Sequence, residues 1–281
     1  MTNITTKLQL GNCIELLREV PSGSVNQIFA DPPYNLSGAT FQTVKSGKMV
    51  TCDKGNWDII DDIHRFNEEW VKECIRVLAA DGTIWISGTL HNHPSIGVIL
   101  KKLNLWIIND VIWFKRNAAP LLSKNRLAPS TELIWIASKT KKYYFDYETA
   151  KMINGGKQMR NLWEINAEKH KTSHPTEKPE SLLERIILLG SKQGDTILDP
   201  FAGSGTTGVV AKRLQRHFIG FEISPDYFKI ALNRINDEKT ENKVVYSEKL
   251  LKQSEQLNLF LEEKANEYKA KCFEDKVKSE P

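Results

Sequence analysis

The sequence predicts an α/β protein built on a doubly wound, mainly parallel sheet. Three observations carry this. Short apolar runs of strand length alternate with segments of helical periodicity along most of the chain. A glycine-rich turn, Gly203-Ser204-Gly205-Thr206-Thr207-Gly208, follows one such strand and opens a helix. A second apolar strand, 25–30, runs into Asp31-Pro32-Pro33-Tyr34, where two prolines forbid the continuation of either a ladder or a helix.

In chain order, 7–10 reads as a short strand, 13–19 as a helix and 25–30 as a buried strand. Phe66, Trp70, Cys74, Val77 and Leu78 share one face of a helix over 66–78, and Asp81-Gly82 then turns into a strand at 83–87. Residues 106–114 and 132–137 form a further pair of strands. The last part reads helix 182–189, strand 196–198, helix 207–214, strand 218–222 and helix 225–235. Two stretches break the rhythm. Residues 36–62 are polar and aperiodic, a loop suited to covering a site, with Trp57 placed to close over it. Residues 139–178 are basic and aromatic and read as an insertion. The expected organisation is therefore 1–138 as one half of the main domain, 139–178 as the insertion, 179–240 as the other half, and 241–281 as a charged helical tail.

Composition narrows the class. With 281 residues, 40% of them hydrophobic, the chain can bury a large core, which excludes intrinsic disorder for most of its length. No apolar run approaches the roughly 18 residues of a membrane span, and the first residues lack a signal-peptide layout. Cys13, Cys52, Cys74 and Cys272 are scattered without a CxxC pair, and His91, His93, His170 and His174 lack metal-ligand spacing. We therefore expect a reduced, cytoplasmic protein without a metal, its histidines at the surface or on phosphates. Between residues 115 and 178 there are 13 Lys/Arg against 6 Asp/Glu, while the remainder holds 26 against 29. That asymmetry suits a surface facing a polyanion.

The glycine turn satisfies GxGxxG, and Glu222 ends the next strand, so a Rossmann-like nucleoside site is expected. Asp199, however, ends the strand itself, and Pro200-Phe201 is bulky. A carboxylate there repels a pyrophosphate and welcomes a cation. S-adenosylmethionine, which carries an ammonium and a sulfonium but no phosphate, fits better than NAD. Asp31-Pro32-Pro33-Tyr34 supplies the complementary chemistry. An exocyclic amine of a base is a poor nucleophile because its lone pair is delocalised into the ring. The Asp31 carboxylate and the Pro32 carbonyl can accept both amino hydrogens and draw the nitrogen toward sp³, Pro33 stiffens the turn, and Tyr34 offers a face for stacking. To share one crevice, these two motifs must lie at the carboxyl ends of neighbouring parallel strands, which makes the sheet a permuted version of the usual order.

At these residues the chain resembles the adenine-N6 DNA methyltransferases of the beta class, which place DPPY before FxGxG, and among them those of Hin-type and Dpn-type restriction–modification systems. The similarity spans about residues 7–237 and includes Leu10-Gly11-Asn12-Cys13, the stretch 113–117, and His174-Pro175-Thr176-Glu177-Lys178-Pro179. The resemblance implies a methyltransferase sheet with an inserted target-recognition region. It assigns S-adenosylmethionine to Asn12, Cys13, Asp31, Lys178, Asp199, Phe201, Ala202, Gly203, Ser204, Gly205, Thr206, Thr207 and Glu222. Asp31, Pro32, Pro33 and Tyr34 are then catalytic. Asn12 stands where many members have Asp, and Thr131-Glu132 where several have His-Glu.

DNA, double-stranded or single-stranded, is the expected partner, held by Lys115, Arg116, Lys124 and Arg126 and read by Lys157, Gln158 and Arg160. A second copy of the chain, and a restriction endonuclease acting on the same site without direct contact, complete the expected partners. Two other readings stay open: an N4-cytosine methyltransferase of the same fold, and a nicotinamide oxidoreductase resting on GxGxxG alone. Trp113 and Phe114 are expected in the core.

Overall fold

The computed structural model describes residues 4–34, 42–45, 48–51, 60–118, 120, 124–167 and 177–238. Its order of elements is β1 (Thr6–Leu10), α1 (Cys13–Glu19), β2 (Val25–Ala30), β3 (Gln42–Lys45), β4 (Lys48–Thr51), α2 (Ile63–Val77), β5 (Leu78–Gly88), α3 (His93–Lys102), β6 (Trp106–Phe114), β7 (Thr131–Ser138), α4 (Tyr147–Ile153), β8 (Leu162–Glu164), α5 (Glu180–Gly190), β9 (Thr196–Asp199), α6 (Thr206–Arg213), β10 (His217–Glu222) and α7 (Pro225–Asp237). The described residues fall into two compact units, one holding the sheet and its helices, the other Asp146–Arg160.

The large sheet runs β1-β10-β9-β2-β5-β7-β6-β8. From β1 to β5 every pairing is parallel; β7 is antiparallel to both β5 and β6, and β8 is parallel to β6. The expected adjacency holds: β2 pairs with β9 in parallel, with Gln27 opposite Ile197 and Ile28 opposite Leu198.

Strand alternation then sorts the core. Ile28 and Ala30 join Ile84, Ile86, Leu198 and Phe221 in an apolar cluster with Leu17 of α1, Trp70 and Cys74 of α2, and Ile96 and Leu100 of α3. Gln27 and Phe29 point the other way, where Gln27 Nε2 donates to the Ile186 carbonyl of α5 at 2.7 Å. Helix α2 is amphipathic as expected and starts where Asp62 Oδ1 accepts from Arg65 N at 2.9 Å.

Several features differ from the sequence reading, among them helix α4 within the stretch read as an insertion, and the start of β5 at Leu78, which takes in Asp81-Gly82. Helix α3, which begins with His93-Pro94, was not anticipated; Pro94 suits the first turn of a helix, and Gly97 interrupts the apolar pattern. His93 is not at the surface: its ring stacks on Trp135 with centroids 4.5 Å apart, and Trp135 Nε1 donates to the His93 carbonyl at 2.9 Å. A two-stranded hairpin, β3 with β4, lies inside the stretch read as a loop. Finally, the stretch read as an insertion contributes β8 to the main sheet, with Trp113 opposite Trp163. Trp113 is buried, as expected, and its Nε1 donates to the Ile165 carbonyl at 2.7 Å. Trp57, Cys52, Cys272, His170, His174 and the tail 241–281 lie outside the described residues. Among the described residues no helix is long and apolar enough to cross a membrane, and no group of side chains is arranged to hold a metal.

The seam between α5 and the sheet gives a stability test. A methyl group on Gly190 would come within 2.1 Å of Gln27 Nε2 and 3.0 Å of Trp85 Nε1, both inside the core. Gly190→Ala should therefore lower stability by about 1–3 kcal/mol, the usual cost of overpacking, read from the urea midpoint. An unchanged midpoint would mean that this seam relaxes freely.

Candidate active site

The two motifs meet where the parallel strands end. Asp31 follows β2 and Asp199 closes β9, its neighbour. Between them lies an open crevice of about 320 Å³ lined by Phe29, Asp31, Glu177, Lys178, Asp199, Phe201, Ala202, Gly203, Ser204, Thr206 and Thr207. Nine of these belong to the expected cofactor set; Phe29 and Glu177 are additions.

The turn after β9 is built from its own polar groups. Asp199 Oδ1 accepts from Phe201 N at 2.9 Å and Oδ2 from the Thr207 hydroxyl at 2.5 Å. Gly205 adopts φ 83° directly before α6, and a Cβ there would meet the backbone of Ala231 at 2.9 Å, so glycine is needed on both counts. Phe201 is anchored edge-on against Trp70 of α2, with centroids 5.2 Å apart. Glu222 spans the mouth of the turn: Oε2 accepts from Gly203 N at 2.8 Å and Oε1 from Ser224 N at 2.7 Å. From α7, Arg234 Nη1 donates to the Ser204 carbonyl at 2.8 Å and forms an ion pair with Glu177, also at 2.8 Å. Sequence reasoning passed over Arg234, because one basic residue on a charged helix carries no signal of its own.

Asn12 is the N-cap of α1, with Oδ1 accepting from Ile14 N at 2.9 Å. Gly11 N donates to the Glu222 carbonyl at 2.9 Å, which sets residues 11–13 beside the end of β10. Burial pushes the Cys13 thiol up to about 12, so it remains protonated and unreactive. Of the expected cofactor set, Asn12, Cys13, Gly205 and Glu222 do not line the crevice described above; Gly205 and Glu222 shape its glycine turn from behind the lining.

Around Asp31 the arrangement is denser than the sequence suggested. The Tyr34 hydroxyl donates to Asp31 Oδ1 at 2.6 Å, a bond the sequence reading did not include. Burial, joined by the charge of Asp31, raises the Tyr34 phenol well above its ordinary value and keeps it a donor. Lys178 Nζ pairs with Asp31 Oδ2 and lies 3.4 Å from Glu132 Oε2. Burial acts to lower the lysine pKa, but Asp31 and Glu132 outweigh it and hold Lys178 above its usual range, fully charged.

The expected DNA contacts divide. Lys115 is turned inward, its Nζ 2.7 Å from Glu132 Oε1 and 4.7 Å from the centre of the Trp113 ring. Arg116 Nη2 donates to Glu164 Oε2 at 2.9 Å. Lys124 and Arg126 are exposed. Lys157, Gln158 and Arg160 are exposed in the second unit, on a turn held by Asn154 Nδ2, which donates to the carbonyls of Lys157 and Gln158 at 3.1 and 3.0 Å.

An open crevice at the ends of two parallel strands, lined by Asp31 and Asp199, is the arrangement expected of a methyltransferase. Comparison with known proteins agrees. The DNA methylase family model matches residues 25–233, and the chain belongs to that family, whose methyl donor is S-adenosylmethionine. This sets aside the oxidoreductase reading. The chain is 45% identical over 238 residues to the type II methyltransferase M2.DpnII of Streptococcus pneumoniae, covering 81% of this chain and 88% of that one. It is 39% identical over 254 residues to M2.MboI of Moraxella bovis, covering 86% and 92%. Among solved structures, the complex of M1.HpyAVI with S-adenosylmethionine superposes with a TM-score of 0.64 at 25% identity, over 83% of this chain and all of that one. The cytosine-N4-specific PvuII methyltransferase shares the fold at a TM-score of 0.67 and 20% identity, over 91% and 93%.

The residues present fit the cofactor. Asp199 is buried, and among the described residues no cation pairs with it. Burial pushes its carboxyl up to about 7 despite the bonds from Thr207 and Phe201. A cationic ligand supplies the missing counter-charge, and only the ionised carboxylate attracts it. Affinity for S-adenosylmethionine should therefore fall as pH drops through 7, by about tenfold per unit well below that value, while Asp199→Asn binds weakly at every pH. Titration calorimetry at pH 6 and pH 8 checks this; equal wild-type affinities would overturn it. A raised carboxyl pKa also destabilises the empty fold as pH rises above the unfolded value, fully so above 7. Asp199→Asn should consequently raise the melting temperature more at pH 8 than at pH 5.

Proposed function

We propose that this chain methylates the N6 amine of adenine within a short DNA site, as the modification enzyme of a type II restriction–modification system. The observation that carries the reading is the placement of Asp31 and Asp199 on one crevice, so that an amine acceptor faces a cofactor seat. Two further points support it: the beta-class order of the motifs, and relatives named as type II methyltransferases, M2.DpnII and M2.MboI. A restriction endonuclease sharing the same site is the implied functional partner.

Asp199, Glu222 and the turn 201–205 would hold S-adenosylmethionine, which supplies an electrophilic methyl group when bound. The remaining work falls to side chains of this protein. A target base inside a duplex cannot reach Asp31, so it must leave the stack at a cost of a few kcal/mol. The Tyr34 ring offsets part of that, since stacking contributes about 1–3 kcal/mol per base. The Asp31 carboxylate and the Pro32 carbonyl accept the two amino hydrogens and localise the nitrogen lone pair. The N–C bond would form as the donor's S–CH3 bond breaks, the sulfonium leaving as a neutral thioether, and one amine proton would pass through Asp31 to solvent. Exposed Lys124 and Arg126 contact phosphates, and Lys157, Gln158 and Arg160 read base edges.

Mass analysis of nucleosides from DNA incubated with the protein and S-adenosylmethionine should show N6-methyladenine; N4-methylcytosine in its place would assign the other amine. Asp31→Asn should abolish transfer with cofactor affinity retained. Tyr34→Ala should lose both stacking and the bond to Asp31, and Tyr34→Phe the bond alone, so kcat should rank wild type above Phe above Ala. A Phe variant as poor as Ala would sink the stacking role. For recognition, methylation of matched and one-base-altered duplexes should show Gln158→Ala and Arg160→Ala relaxing discrimination, each by about 1–3 kcal/mol. Unchanged discrimination in both would move base reading to another segment.

A further inference from the structure

In the structure each oxygen of Asp31 already accepts from a donor, Oδ1 from the Tyr34 hydroxyl and Oδ2 from the Lys178 ammonium. An ammonium in that position neutralises the carboxylate that must attract an amine, and it repels the positive charge that develops on the amine nitrogen during transfer. Lys178 cannot retreat to water, because its side chain is only 7% exposed. It needs a second seat inside the protein.

Glu132, the second residue of β7, has the properties of that seat. Its Oε1 is held by Lys115 at 2.7 Å, and Lys115 is itself steadied over the Trp113 ring. Its Oε2 is buried and, among the described residues, has no hydrogen-bond partner. A buried carboxylate oxygen left unbonded is costly and calls for an explanation. The group nearest to meeting that need is the Lys178 ammonium, 3.4 Å away, beyond good bonding distance for a charged pair. A shift of the ammonium by roughly 0.6 Å would close it. Lys115 pins one oxygen while the other points at a lysine already engaged elsewhere.

We propose that Glu132 is the alternate acceptor for Lys178: when the target amine docks, Lys178 leaves Asp31 for Glu132 Oε2, and Asp31 is released to the amine. Glu132 is thus a positioning residue, acting on the base through Lys178. The proposal rests on Asp31 being the acceptor for the amine.

The test compares the affinity of the full chain for two duplexes that differ at the target base of the mapped site, one carrying adenine and the other purine, which lacks the amine. Wild type should prefer adenine by roughly ten- to a hundred-fold, the range for a charge-assisted hydrogen bond. Glu132→Gln should bring that ratio close to one, because Lys178 then stays on Asp31, with cofactor affinity and melting temperature little changed. Removing the lysine as well should restore the preference, since Asp31 is then permanently uncapped: Glu132→Gln with Lys178→Met should recover the wild-type ratio. A purely structural Glu132 would show neither the loss nor the recovery. Should the Gln variant not fold, Glu132→Asp, which withdraws the charge by one methylene, should lower the ratio in the same direction. A ratio kept in Glu132→Gln, or not recovered in the double variant, overturns the proposal. If wild type itself does not distinguish adenine from purine, the acceptor role of Asp31 fails, and this inference with it.

Discussion

The parallel pairing of β2 with β9 is the constraint on which the rest of the molecule depends. Asp31 and Asp199 are far apart in sequence, and only the register that sets Ile28 opposite Leu198 brings their carboxylates to one crevice. That register is fixed from both faces of β2. Ile28 and Ala30 are committed to the cluster with α1, α2 and α3, while Gln27 bonds α5 on the other side. A slip by one residue would put the Gln27 amide into the apolar cluster and expose Ile28 to the polar seam. The same burial that secures the strands removes water from the carboxylates at their ends, so the sheet determines the electrostatics of the site as well as its position.

The two carboxylates, Asp199 buried and Asp31 half-buried, are handled in opposite ways. Among the described residues Asp199 has no cation beside it, and burial pushes its carboxyl up to about 7, whereas Asp31 is matched by Lys178. A cofactor that brings its own positive charge suits the first arrangement, and a neutral amine competing for an occupied acceptor suits the second. Selectivity for the order of events can follow from this difference, because one seat awaits charge and the other must first give it up.

The fold was largely readable because its strands are apolar, short and punctuated. Asp31-Pro32-Pro33 and the Gly203–Gly205 turn mark strand ends by backbone chemistry alone, and both stand where the sequence placed them. Helix α3 escaped because His93 and Gly97 sit on its buried face, where a periodicity search expects aliphatic side chains; stacking on Trp135 makes that histidine a core residue. β8 escaped because three residues carry no period. Within the site, nine of the residues that converge on the crevice were legible from the two motifs and the stretch before α5. The ion pairs of Arg234 and Glu132 were not, since an ion pair is a property of two positions brought together by the fold, and neither position announces its partner.

One feature of the sheet bears on how such a protein can change. The chain leaves the frame at Tyr144, whose N–H is fixed on the Asp81 carbonyl at 2.8 Å, and rejoins it at Asn161, whose carbonyl accepts from Ile112 N at 2.8 Å before β8 takes its place beside β6. Both points of departure and return are thus secured by main-chain bonds that ignore side-chain identity. What lies between them can be lengthened, shortened or replaced by recombination without rewriting the strands that hold Asp31 and Asp199. A single chemical frame can in this way be inherited intact while the intervening segment diversifies.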